Sequence, residues 1–128
     1  MIYYAKGSAD ADLSADDLRQ GMFTALEAIG EKQKVLVIPP DYTRLPSRSG
    51  ELTEFCWEYL GEKLTDILPA LGTHTPMTGE QISHMFGQTP DHLFRVHDWR
   101  NDVITLGQVP AEFVNEVSEG ACDFTWPA

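Results

Sequence analysis

Basic residues are scarce in this sequence. Nine Lys and Arg stand against 20 Asp and Glu over 128 residues, so the formal net charge at pH 7 is −11. Proteins that bind nucleic acid neutralise phosphates with clustered cations; here the cations are scattered, and the closest arginines are Arg44 and Arg48. No nucleic-acid partner is expected; a small anion met by one or two arginines remains compatible. Cysteine is scarcer still. Cys56 and Cys122 are too few for a disulfide framework, which points to a reducing, cytoplasmic setting. No apolar run approaches the roughly 20 residues of a membrane span. Residues 1–12 lack the basic start and apolar block of a secretory signal. Glycine-rich phosphate loops of either common type are missing, as are internal repeats.

What is present is one domain's worth of core-forming sequence. With 42% hydrophobic residues, a chain this long buries about two-thirds of its unfolded surface. Ser14 with Asp17 three residues on marks a helix start, and Leu18, Met22, Phe23, Leu26 and Ile29 follow at helical spacing. Gly30 closes that helix, predicted over residues 15–29. Residues 34–38, Lys34 followed by the continuous apolar run Val35-Leu36-Val37-Ile38, read as a strand covered on both faces. Residues 39–50 read as a loop. A second helix is expected over 51–63, with Leu52, Phe55, Cys56, Tyr59 and Leu60 as its apolar stripe. Residues 66–71 read as a second buried strand, and Thr78 with Gln81 caps a third helix. Further strands are expected at 95–99 and 103–106, and Trp126-Pro127 resembles a helix start. The alternation implies an α/β fold: an open, mostly parallel sheet with helices on both faces, a Rossmann-like three-layer arrangement.

In such sheets ligands bind beyond the carboxyl ends of the strands, where two loops carry chemistry. The first, residues 39–46, sets Asp41, Tyr42, Thr43 and Arg44 among three prolines. Arginine there suits capture of a carboxylate or phosphate. Asp41 has several open roles: orienting a base, accepting a substrate hydroxyl, pairing with Arg44, or capping its own turn. Thr43 stands where an aspartyl phosphotransferase carries a second Asp. The second loop, residues 71–76, offers His74, either a general acid–base or a structural loop histidine. His84 reads as a partly buried packing residue and Cys56 as core. His92 and His97, five apart, make a poor metal pair.

Together the two loops resemble the D-x-T-R and G-T-H-x-P-M-T signatures of the lactate racemase family. Asp41-Tyr42-Thr43-Arg44 matches the first, and Gly72-Thr73-His74-Thr75-Pro76-Met77-Thr78 matches the second, each after an expected strand. His97-Asp98 is similar to a histidine–aspartate pair of that family. The similarity runs from about residue 10 to the end.

The resemblance implies racemisation or epimerisation of a 2-hydroxy acid with a nickel-pincer nucleotide as hydride acceptor. It implies His74 as one of two acid–base histidines, and Asp41, Tyr42, Thr43 and Arg44 as substrate- and cofactor-binding residues. On this reading Arg44 is the anion contact and Asp41 supports His74 or the cofactor. The family's second catalytic histidine, its cofactor lysine and its nickel-coordinating histidine come from downstream segments. The chain is thus expected to be the N-terminal domain of a longer enzyme, partnered by a C-terminal domain, holding no metal ligand and inactive alone. A different class of reading stays open: a non-catalytic ligand-binding or assembly module on the same scaffold.

Overall fold

The computed structural model describes residues 1–128, which form two compact units, Met1–His97 and Asp98–Ala128. In the first unit, helix α1 spans Ala15–Ile29 as its sequence predicts. The Ser14 hydroxyl accepts the Asp17 N–H, and the Asp17 carboxylate accepts the Ser14 N–H. Hydrogen bonds from Lys6 and from Ser14 pull the Asp17 carboxyl down to about 2. Residues 1–12 form an arm without strand structure, and Tyr4 lies over Gly21 of α1.

Strand β1 (Val35–Val37) pairs in parallel with β2 (Leu64–Ile67). The pairing continues past both strands: Leu68 N–H donates to the Val37 carbonyl and Ala70 N–H to that of Pro39. Phe94 adds a further parallel bridge, to Ile67. Helix α2 (Ser49–Leu60) joins β1 to β2, and α3 (Gly79–Phe86) follows β2. Cys56, Leu64, Ile67 and Leu93 form the core, with Met22, Leu26, Val37 and Leu60 packed around them. The unit is α/β, built on a small sheet.

Several expectations are corrected. Leu36 and Ile38 are 51% and 61% exposed, so β1 is covered on one face only. Its apolar run reports what the strand is able to bury, whereas coverage depends on a second layer that this unit does not provide. The second strand begins earlier, at Leu64, because its hydrogen bonds follow the register of β1 rather than its own apolar stretch. The 39–50 loop contains a 3-10 helix, Tyr42–Ser47, and the first two residues of α2. Tyr59 is exposed, leaving Thr53 and Cys56 as the buried line of α2. Residues 95–99 form no strand beyond the Phe94 bridge.

The second unit holds β3 (Gln108–Val109), α4 (Ala111–Val117) and β4 (Trp126–Pro127). β3 and β4 pair antiparallel, so Trp126-Pro127 is extended and not a helix start. Pro127 lacks an N–H and is tolerated on a strand edge. Residues 103–106 form no strand: the antiparallel ladder starts at Gln108, and of this run only Leu106 reaches the opposite segment, its N–H donating to the Ala128 carbonyl at 2.6 Å. No helix of either unit is long and apolar enough to cross a membrane.

Candidate functional site

The parallel bridge between Pro40 and Ala70 sets the two chemistry-bearing loops side by side at the carboxyl ends of β1 and β2. After Pro40 the chain turns into a 3-10 helix, and Asp41 caps it. Its Oδ1 accepts the Thr43 N–H at 3.1 Å and the Thr43 hydroxyl at 2.5 Å. After Ala70 the chain reverses through Gly72, whose φ of +56° favours glycine, and His74 N–H donates to the Leu71 carbonyl. These two turns bring His74 Nδ1 to 2.6 Å from Asp41 Oδ2.

Asp41 is 5% exposed, while the His74 side chain is 57% exposed. Burial disfavours charge on Asp41, yet the Thr43 and His74 hydrogen bonds outweigh it and hold the carboxyl below its ordinary value. An ionised carboxylate only accepts hydrogen bonds, so His74 Nδ1 carries the proton. In neutral His74 that leaves the Nε2 lone pair free to accept one, the arrangement of an oriented general base. Of the contacts left open to Asp41 by the residues alone, two are present: it caps its turn with one oxygen and meets His74 with the other.

A cleft of about 260 Å³ opens beside this pair, lined by Asp41, Tyr42, Thr43, His74, Thr75, Met77 and Gln81. Arg44 is not among the lining residues. It is exposed, without a side-chain hydrogen bond or ion pair, and its backbone (φ −108°, ψ 22°) departs from the helix around it. His84, expected to pack inside, is exposed instead, and its Nδ1 lies 2.7 Å from the Tyr42 hydroxyl oxygen. Sequence reasoning missed this contact; the only available signal was the three-residue spacing of His84 from Gln81 on one helix face. His92 and His97 do not line the cleft, and Asp98 accepts the N–H groups of Arg100 and Asn101 in a turn. A larger hollow, about 430 Å³, lies between the end of α1 and Lys63; Glu27, Glu31, Lys32 and Lys63 line it, and Lys63 pairs with Glu31. It is remote from either motif.

A crystal structure of a protein from Thermotoga maritima, determined by the Northeast Structural Genomics Consortium, is similar to 90% of this chain. The two share 28% sequence identity with a TM-score of 0.73. This chain spans 29% of the length of that protein. No family model matches the chain, and no curated protein matches it.

Proposed function

We propose that this chain is the N-terminal part of a nickel-pincer nucleotide-dependent racemase or epimerase of lactate or another 2-hydroxy acid. The observation that carries the proposal is the His74–Asp41 pair, 33 residues apart in sequence and joined at 2.6 Å beside an open cleft. It joins a residue of the D-x-T-R motif to the histidine of the G-T-H-x-P-M-T motif. In the complete protein the sheet is proposed to extend into an open parallel arrangement with helices on both faces, and a C-terminal domain to close the cleft. Cys56 and Cys122 are free thiols, in keeping with a cytoplasmic site of action.

The residues present fit part of the proposed cofactor. The resemblance assigns the nickel ligands to the proposed further domain. Arg44, unpaired and exposed, suits the cofactor phosphate or the substrate carboxylate, and Thr43 stands beside it. When bound, the cofactor supplies a reversible hydride acceptor.

This chain's part is proton handling. Asp41 keeps His74 in the tautomer with Nε2 unprotonated. As the carbinol carbon is oxidised, its hydroxyl proton passes to His74 Nε2, and the imidazolium that forms is stabilised by the Asp41 carboxylate. The proton returns to oxygen when the carbon is reduced again.

The test is isomerisation of lactate and related 2-hydroxy acids, followed from both enantiomers, in the complete protein loaded with cofactor. His74→Ala is expected to lower the rate by roughly 100- to 10,000-fold in both directions. The equilibrium constant fixes the ratio of forward to reverse kcat/KM, so that ratio stays unchanged. A stable, loaded His74→Ala protein with wild-type activity refutes the assignment. Binding of hydroxy acid without turnover in the wild type favours the non-catalytic module.

A further inference from the structure

His84 lies outside both loop motifs. It occupies the last turn of α3, three residues after Gln81, and that spacing places both on one helix face. The face meets the Tyr42–Ser47 turn, where the Tyr42 and His84 rings lie 5.8 Å apart at a tilt of 49°. α3 is anchored from behind by buried Met85 and Phe86. Adjacent residues Asp41 and Tyr42 thus each hold a histidine, one from the loop after β2 and one from α3.

A phenol takes part in more than one hydrogen bond, so the bond to His84 leaves Tyr42 capacity for a ligand in the cleft. Thr75 also lines the cleft, and its hydroxyl has no protein partner. Met77 is the one wholly apolar side chain of the lining. An alkyl substituent lodged here strips water from the Tyr42 and Thr75 hydroxyls without replacing its hydrogen bonds. A hydroxyl substituent replaces them.

We propose that Tyr42, held by His84, is a substrate contact that selects 2-hydroxy acids carrying a second hydroxyl at C3 over those with alkyl side chains. This rests on the 2-hydroxy-acid reading of the same cleft. His84 is a positioning residue acting through the Tyr42 hydroxyl.

Glycerate and lactate share a carboxylate and a 2-hydroxyl and differ by one C3 hydroxyl, which makes them the probes. In the complete, cofactor-loaded protein, kcat/KM for glycerate is expected to exceed that for lactate by about tenfold, the scale of one neutral hydrogen bond. Tyr42→Phe should abolish this preference, chiefly through KM for glycerate. His84→Ala should erode it and His84→Asn restore it, because the Asn amide offers a phenol either an acceptor or a donor. A purely structural role lowers both substrates together. Binding supplies a second readout: in protein carrying 15N-labelled histidine, glycerate should move the His84 imidazole resonances and lactate should not, with the glycerate response lost in Tyr42→Phe. An unchanged glycerate-to-lactate ratio in Tyr42→Phe overturns the proposal. So do His84 resonances that respond equally to both acids. Absence of turnover on both acids in the wild type strikes the isomerase reading instead, and the His84 spectra still decide this one.

Discussion

Gly50 in α2 lies so close to α3 that a Cβ placed on it would sit 1.9 Å from the Met85 carbonyl oxygen. Backbone carbonyls do not swing aside as long side chains do. Gly50→Ala must therefore push α2 and α3 apart, and with α3 goes the seat of His84. The variant is expected to lose about 1–3 kcal/mol of stability, measured by urea unfolding. A stability equal to wild type means the two helices are not held at this distance.

The second expectation concerns acid. Burial opposes charge on Asp41, but the hydrogen bonds from Thr43 and His74 prevail and hold its carboxyl below 3.8. A group with a depressed folded pKa adds stability above its unfolded value, and that stability is lost as pH falls through the folded one. The difference in stability between wild type and Asp41→Asn should be full above pH 3.8 and shrink on acidification below it. Denaturant titrations across that range measure it. A difference independent of pH contradicts an ionised Asp41.

Arg44 separates binding from folding. It has no protein partner, so Arg44→Ala is expected to change stability by no more than about 0.5 kcal/mol. A charge-assisted contact to an anion is worth roughly 1.5–3 kcal/mol, so KM or cofactor loading should weaken by about 10- to 150-fold. Unfolding curves and substrate saturation on the same preparations distinguish the two effects. Unimpaired saturation and loading remove Arg44 from the site.

Thr78 caps α3, its hydroxyl accepting the Gln81 N–H at 3.2 Å while Gln81 Oε1 accepts the Thr78 N–H at 3.0 Å. Thr78→Ala should cost about 1 kcal/mol. Thr78→Ser keeps the hydroxyl and should retain most of that stability. Paired thermal or urea melts of the two variants check this.

The elements legible in the sequence are those held by short-range bonds. Ser14 with Asp17 and Thr78 with Gln81 close their capping boxes three residues apart, and Gly30, at φ 81°, ends α1 where its residue type predicts. The apolar periodicity of α1 and the placing of both loops after strands also follow from near neighbours. The family resemblance gave Asp41 two roles, support of His74 or of the cofactor, and the residues alone left it several partners; the contact with His74 is a finding of the structure.

Tertiary structure decided which partner each long-range group takes. The Pro40–Ala70 bridge brings together residues 33 apart, and the packing of α3 brings His84 to Tyr42 across 42. Neither distance is encoded in any local spacing. The same holds for the strands. Residues 103–106 are apolar and extended in pattern yet form no ladder, whereas Trp126-Pro127 forms one with Gln108-Val109. Leu36 and Ile38 remain exposed in a run that composition marks for burial. A cap completes itself within one helical turn; a ladder or a covered face exists only when another segment arrives to supply its other half.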